Sequence, residues 1–471
     1  MNYKKYQFYL FAFLVLFATA CSVSRQMEKP VPDLPVQFRN GSGTDSSSIA
    51  DMPWKTFFTD PTLQALIDTA IARNFDVQLS LKNLESAQLL LNQSKFAGLP
   101  SVSLQTGAIL NRPSDNSLNG ISLSQFLGKS YLEDYQTSAG VSWEADIWGK
   151  IRNQKTIATS QYLQTEEVRK TVQTGLVSAV ANAYYNLLML DAQLAVAKKN
   201  VLLSDSTLRI VQLQYRAGQV TELAVQQTDA QRLVAAQLIP KLEQAITVQE
   251  NALSILTGKI PSAINRVNSL QTVAFPERVS AGFPSALLAR RPDVREKEIA
   301  LTIANAQSNI ARANMYPAIS ITAAGGVNAF RASNWFSVPA SLFGTVAGGI
   351  TAPLFNGKRL KTAYELSKVD QEKTVILFRQ AVLKAVGEVS DALVSIDKLK
   401  EQQSVIDARL TVLQKAVVNA GLLFQNGMAT YLEVINAQGN ILASELEADA
   451  IKRAQLGANV ELYRALGGGW K

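Results

Sequence analysis

Four stretches of the chain alternate between apolar residues and polar or small ones. The segment at about 101–110 (SVSLQTGAIL) sets Val102, Leu104, Ala108 and Leu110 against Ser101, Ser103 and Gln105. A second, at about 134–148, sets Tyr135, Thr137, Ala139, Val141, Trp143, Ala145 and Ile147 against Gln136, Ser138, Gly140, Ser142, Glu144 and Asp146. At about 318–330, Ile319, Ile321, Ala323, Val327 and Ala329 oppose Ser320, Thr322 and Asn328; at about 341–354, Leu342, Val346, Ile350, Ala352 and Leu354 oppose Ser341, Thr345 and Thr351. A two-residue period held over about ten residues is the pattern of a membrane barrel strand, apolar outward and small or polar inward. The four predict two hairpins, joined by loops at 111–134 and 331–340 that hold Pro, Gly, Asn and Ser.

The rest of the chain carries a helical period. Leu176, Val180, Ala183, Leu187, Leu190, Leu194 and Val201 form one stripe; Val382, Val386, Val389, Leu393, Ile396 and Leu399 begin another. The second continues through Ile406, Leu410, Leu413, Val417, Ala420 and Phe424 in heptad-like steps of four and three. A helix from Ile151 to about Arg216 would be roughly 100 Å long at 1.5 Å per residue. Such a rod must pack along other rods.

The two halves match. Pro100 and Pro317 each precede a strand hairpin, and WGKIRNQ (from Trp148) and NGKRLKTA (from Asn356) each open a long helix. Gly149 and Gly218 lie 69 positions apart, Gly357 and Gly427 lie 70 apart, and the second glycine of each pair marks a turn into a returning helix. Those helices close at LTGK (from Leu256) and LGGG (from Leu466). The chain therefore reads as an internal duplication, each copy a strand hairpin joined to a long helical hairpin. The expected organisation is a signal peptide over 1–20, a lipidated linker over 21–50, a first repeat over 51–262, a linker over 263–284 and a second repeat over 285–471. Four strands cannot close a barrel, since the small membrane barrels need about eight. Either the strands are soluble, or several chains share one barrel and the long helices become staves of a cylinder continuing it. The fold class expected is mainly α with a membrane β-barrel.

The N-terminus reads MNYKKYQFYLFAFLVLFATACSVS: a charged start at Lys4 and Lys5, an apolar core over Phe8–Phe17, and small residues Ala18, Thr19 and Ala20. The chain's one cysteine, Cys21, follows at once, and ATAC resembles the bacterial lipobox, whose cysteine carries the lipid. Ser22 after it, rather than aspartate, suits the outer membrane. No other apolar run approaches the roughly 18–20 residues of a membrane-spanning helix.

Apolar content of 47% and charged content of 18% describe a folded chain. The formal charge of +8 is dispersed among acidic residues, with no basic tract for nucleic acid. There is no histidine. That removes the commonest general base and metal ligand, and with a single cysteine it excludes Cys–His nucleophiles, zinc sites and disulfide frameworks within the chain. No metal site, cofactor or catalytic residue is expected, and no motif supports a carboxylate-based hydrolase.

Several stretches resemble one family. MPWKTFFTDPTLQALIDTAIARNFDVQLS (from Met52), LLARRPDVREKEIALTIANAQSNIARANMYPAISIT (from Leu287), YRAG (from Tyr215), NLLMLDAQLAVA (from Asn186) and the closing LYRALGGGW (from Leu462) are similar to outer membrane efflux proteins of the TolC superfamily. The similarity is to the lipoprotein branch that works with resistance–nodulation–division (RND) pumps. It implies a homotrimer with a twelve-stranded barrel and an α-helical tunnel, a periplasmic adaptor (membrane fusion protein), an inner-membrane RND pump, and no reaction. A type I secretion duct and, from another class, a lipidated periplasmic adaptor are the alternatives; adaptors normally carry one helical hairpin and no paired membrane-type strands.

The resemblance also implies site residues. Adaptor docking falls on the two glycine turns, at Arg216, Ala217, Gly218, Gln219, Asn426, Gly427 and Met428. The periplasmic gate falls just past the second turn, at Glu433 and Asn436, with Glu222 near the matching place in the first copy, where Ala224 aligns with Glu433. Asn436 departs from the aspartate of some relatives, so a second acidic ring is not implied. Three Glu433 carboxylates on an axis would repel one another, raise at least one pKa and attract cations. In ARRPDVREKE (from Ala289), Pro292 suits a first helical turn, and Asp293 and Glu296 suit its dipole. Tyr135, Trp143 and Trp148 are either interface aromatics or strand packing.

Overall fold

The computed structural model describes residues 48–273 and 281–471, together with Glu28, Pro30 and 34–39; Cys21 and the leader before it lie outside the described residues. The helices are α1 (Trp54–Phe57), α2 (Pro61–Arg73), α3 (Phe75–Lys95), α4 (Leu118–Leu127), α5 (Lys150–Arg216), α6 (Glu222–Leu256), α7 (Leu287–Arg290), α8 (Pro292–Ala313), α9 (Arg359–Gln425) and α10 (Tyr431–Ala465). The strands are β1 (Ser101–Asn111), β2 (Leu132–Glu144), β3 (Ala318–Ala329) and β4 (Leu342–Thr351). The described residues fall into two compact units, each treated separately below. One holds Ala87–Tyr162 and Ile299–Val375; the other holds Val31–Ser86, Leu163–Glu298 and Ile376–Lys471.

In the first unit the strands form one antiparallel sheet in the order β1-β2-β3-β4. Register carries the alternation across it: Val102 faces Val141, Val141 faces Ala323, and Ala323 faces Val346. The neighbouring row is Ser103, Gly140, Ala324 and Thr345. A slip of one residue in any pair would put that strand's apolar set on the wrong face, so the pattern itself specifies the pairing. Two hydroxyls stranded on the apolar face, Thr106 and Thr137, sit opposite each other and bond at 3.3 Å. Among the described residues, β1 and β4 have no strand partner on their outer sides.

β2 ends at Glu144, short of the expected 148, because Asp146 is taken by the next helix. Its carboxylate accepts the backbone N–H groups of Ile151 at 2.8 Å and Arg152 at 3.0 Å, satisfying donors that α5 leaves free at its start. β4 stops at Thr351, two residues before Pro353, which has no N–H for a ladder. The first loop, read as irregular, contains α4. Ser117 caps it by accepting from the Gly120 N–H at 3.1 Å, and Gly128 ends it at φ 59°. The indoles act as pins: Trp143 Nε1 donates to the Gly98 carbonyl at 3.0 Å and Trp148 Nε1 to the Pro317 carbonyl at 2.6 Å. Both acceptors lie just ahead of a strand, so each indole ties one hairpin to the entry of a hairpin.

In the second unit the helical stripes are buried where expected: Leu176, Val180, Leu187 and Leu190 on α5; Val382, Val389, Ile396, Ile406 and Phe424 on α9. α9 also leaves an apolar row uncovered, including Ile376, Leu383, Val405 and Val412.

The quoted sequence signatures meet in this unit. The Arg291 side chain is 4% exposed and bidentate to Asp293 at 2.9 and 2.6 Å; it also donates to Glu388 at 2.8 Å and to the Ala465 carbonyl at 3.0 Å. Arg464 shares Glu388 at 3.0 Å, so α8, α9 and α10 are joined through one carboxylate. Burial alone would raise the Asp293 pKa; the Arg291 bonds and charge outweigh it and hold Asp293 below its ordinary value. Tyr463 stacks on Phe57 with ring centres 4.1 Å apart and donates to the Met52 carbonyl at 2.7 Å. Glycine is required just beyond: a Cβ on Gly468 would lie 2.4 Å from that tyrosine ring, and one on Gly467 2.6 Å from the Arg290 carbonyl. Asp60 caps α2 through the Thr62 and Leu63 N–H groups and accepts from Tyr184 at 3.0 Å and Asn268 at 2.9 Å.

The linker segment is strapped down by acids. Arg266 pairs with Asp191 at 2.7 Å and with Glu250, and Gln271 donates to Asp449 at 3.1 Å. Asp449 is 5% exposed, and its second carboxylate oxygen has no hydrogen-bond partner. Burial, then the charge of Glu445, pushes its pKa from 3.8 up to about 6. Since the folded value exceeds the unfolded one, the buried charge costs stability above pH 6, and that cost disappears below pH 4. Asp449→Asn is therefore expected to raise the thermal midpoint at pH 8 and to leave it unchanged near pH 4. Arg291→Ala is expected to cost roughly 1–3 kcal/mol, since it strips Asp293 of its partner and leaves the Ala465 carbonyl without the guanidinium, while Arg464 keeps Glu388 paired. Arg290→Ala, at a more exposed pair with Asp51, should cost less than about 1 kcal/mol. Unfolding of the detergent-solubilised protein, followed by helical circular dichroism, checks all three.

Candidate functional site

The two glycine turns are built alike. After α5, Gly218 takes φ 71°; its N–H bonds the Tyr215 carbonyl at 2.9 Å and the Gln219 N–H bonds Gln214 at 2.8 Å. After α9, Gly427 also takes φ 71°, with its N–H on Phe424 at 3.1 Å and Met428 N–H on Leu423 at 2.8 Å. These paired bonds are the Schellman closure, which needs a left-handed residue and satisfies the last free carbonyls of a helix. Thr221 and Thr430 then stand immediately before α6 and α10. Arg216, Ala217, Gly218, Gln219, Asn426, Gly427 and Met428 are all exposed. The Asn426 side chain bends back to the Leu422 carbonyl at 2.8 Å.

The structure sets the two turns side by side. Val211 and Ala224 from the first hairpin bury themselves against Phe424 and Val434 from the second, and Tyr431 Oη donates to Gln227 Oε1 at 2.6 Å. Sequence alignment missed this contact. It equates Ala224 with Glu433, yet Ala224 is buried in the joint core while Glu433 is exposed. The only sequence hint was the difference in side chain itself, a methyl group against a carboxylate.

Glu433 and Asn436 stand on one exposed face of α10, one helical turn apart. Glu433 has a local role as well: its carboxylate accepts the Thr430 N–H at 2.9 Å while the Thr430 side chain accepts the Glu433 N–H, a capping box, and the Thr430 hydroxyl also bonds that carboxylate. Within one chain the Thr430 hydroxyl holds the Glu433 carboxyl below its ordinary value. The upward shift expected for three converging copies is opposed by this bond. Glu222 begins α6 and accepts from Gln226 at 3.3 Å; among the described residues it forms no hydrogen bond with Glu433 or Asn436.

At the far end of β2, Tyr135 meets Trp335 with ring centres 5.3 Å apart, and Trp335 meets Phe336 at 5.1 Å. Eight residues separate Tyr135 from Trp143, about 26 Å along a strand at 3.3 Å per residue. That is comparable to the apolar band of about 25 Å that membrane barrels present between aromatic belts. None of the described helices is long and apolar enough to cross a membrane. A recess of about 400 Å³ opens beside Asn182, Glu388, Arg453 and Glu461. Glu388 is held by Arg291 and Arg464, and Glu461 by Arg464, so both carboxylates are committed to ion pairs.

Thr430→Ala removes the hydroxyl half of the capping box. Amide hydrogen exchange over Leu432–Val434 should quicken roughly fivefold, the equivalent of about 1 kcal/mol.

The sequence model of the family described as "Outer membrane efflux protein" matches twice, at residues 66–259 and 283–468. The cation efflux system protein CusC of Escherichia coli O6:H1 is 29% identical over 467 residues, covering 97% of this chain and 98% of that protein. The solvent efflux pump outer membrane protein SrpC of Pseudomonas putida is 30% identical over 469 residues, 97% of each chain. A crystal structure of CusC superposes with a TM-score of 0.82 at 27% identity, covering 95% of this chain and all of the other.

Proposed function

The chain belongs to the outer membrane efflux protein family, and from that premise we propose a trimeric, lipid-anchored export duct coupled to an inner-membrane RND pump through a periplasmic adaptor. The protein is an outer membrane efflux channel component. The observation that carries closure by several chains is the open sheet; the number three follows the family resemblance. Four strands with free edges at β1 and β4 leave a row of backbone N–H and C=O groups unpaired, at several kcal/mol each in hydrocarbon. Twelve strands from three chains pair every edge. The apolar row still exposed on α9 supports the same neighbour, since a second chain would cover it.

Conduction follows from the two faces. The lumen side carries Ser103, Gln105, Ser138, Gly140, Thr322 and Thr345, small or hydrogen-bonding groups, with Asp134 and Glu144 toward the two ends of β2. They suit a water-filled bore that passes many solutes. The exposed tip residues named above are the docking surface for the adaptor, and Glu433, with Asn436 and Glu222 beside it, forms the periplasmic constriction. Cys21 carries the lipid. One acyl chain holds a protein only weakly, so the barrel is the main anchor. The exported substrate is set by the pump; the relatives' names point to cations in one case and solvents in another.

The purified acylated protein is expected to run as a trimer in mild detergent and to conduct ions across a planar lipid bilayer. A stable monomer without conductance overturns the reading. Glu433→Gln should lower the cation preference of that conductance, and Cys21→Ser should abolish labelled palmitate uptake. Deletion in the native host separates the alternatives: accumulation of unrelated toxic compounds marks small-molecule efflux, and loss of a single secreted protein marks type I secretion.

A further inference from the structure

We propose that the junction between the sheet and the long helices holds the phosphate of anionic phospholipids in the periplasmic leaflet, through Arg152, Lys155, Lys358 and Arg359. Four strand ends meet there: Ser101 pairs with Ser142, Glu144 with Ser320, and Ala318 with Thr351. The chain passes this level at 95–100, 144–155, 313–317 and 352–359, and the acids in those passages are Glu144 and Asp146. Both are engaged. Glu144 pairs with Lys150 at 3.1 Å, and Asp146 accepts the Ile151 and Arg152 backbone N–H groups. Arg152, Lys155, Lys358 and Arg359 are left exposed, and among the described residues none of their side chains has a hydrogen bond or an ion pair. Arg152 and Lys155 are three residues apart on one face of α5. Lys358 and Arg359 stand at the start of α9, which follows β4, and β2 and β4 flank β3. Two strand spacings set the roots of the two cation pairs about 10 Å apart.

The order of residues away from the sheet selects a lipid over a dissolved anion. Ahead of β1 lie exposed Leu99 and Phe96, and beyond them Lys95. After β2 comes exposed Ile147, then the cations of α5. After β4 come Leu354 and Phe355, 95% and 93% exposed, then Lys358 and Arg359. Three passages thus run from apolar to cationic in one direction. Free phosphate needs only the cations, whereas a phospholipid needs apolar contact first and positive charge just past it. Trp143 and Trp148 stand at the same level, and indoles favour the headgroup region. The backbone at Lys358 agrees. Gly357 and Lys358 take φ 59° and 64°, and among the described residues Lys358 is the one non-glycine with a positive φ. Glycine meets that turn without strain, so the turn by itself does not call for lysine. Because α5 and α9 leave from this edge and form the periplasmic tunnel of the duct, the leaflet is the periplasmic one.

The assignment rests on the outer membrane channel reading, and its test separates the two. The full chain is reconstituted in phosphatidylcholine vesicles with a trace of phosphatidylglycerol or phosphatidylcholine carrying a nitroxide on an acyl chain. Electron paramagnetic resonance then reads the fraction of each lipid immobilised at the protein surface. Phosphatidylglycerol is expected to be enriched there several-fold over phosphatidylcholine. The enrichment should fall close to unity when Arg152→Gln, Lys155→Gln, Lys358→Gln and Arg359→Gln are combined, with the immobilised phosphatidylcholine unchanged. If that variant fails to insert, the pair Arg152→Gln with Lys155→Gln and the pair Lys358→Gln with Arg359→Gln should each lose part of it. Equal fractions of the two lipids on the unsubstituted chain, or enrichment that survives the substitutions, overturn the assignment and leave the channel standing. Equal fractions together with binding of inorganic phosphate by the detergent-solubilised chain mark a site for the free anion and overturn it likewise. Absence of any immobilised lipid overturns both.

Discussion

Unpaired backbone at two sheet edges is the constraint on which the architecture turns. Hydrocarbon offers no partner to an N–H or C=O group, so a sheet in a membrane closes or fails. The described residues carry four strands and can close nothing alone. Its apolar face, its uncovered helix row and its duplicated hairpins all acquire a purpose once other copies complete the circle. The same constraint explains why the register is so tightly written: a slipped pair would turn serines outward and valines into water.

The second constraint is to hold long helices in alignment with few residues. Arg291 does much of this from inside, joining three helices through Asp293, Glu388 and the Ala465 carbonyl. Ion pairs without water are costly to form, yet they fix geometry in a way that slippery apolar stripes do not. Tyr463 on Phe57, and the glycines that pass beneath it, seal the same region. Residues that look, in sequence, like reactive clusters of Arg, Asp and Glu thus prove to be fasteners.

How much of this was legible in advance depended on range. Period-2 alternation found all four strands, because each faces two different solvents; it overran β2 and β4 because Asp146 and Pro353 act on the backbone rather than on polarity. The glycine turns were legible because a left-handed closure demands glycine or a near substitute. The helix α4 was not, since serine, asparagine and glycine in its sequence resemble those of a loop. The joining of the two tips through Phe424 and Ala224, and the hub at Arg291, depend on contacts between residues far apart in the chain. No local period encodes them.

The joined tips have one more consequence. Duplication gave the chain two equal bends, but Ala224 sank into the shared core while Glu433 stayed in water. In the duct proposed above, the two exposed turns share one backbone shape but differ in side chains, Arg-Ala-Gly-Gln in one and Asn-Gly-Met in the other. An adaptor docking there, as proposed, would meet two sets of side chains on one repeated backbone turn.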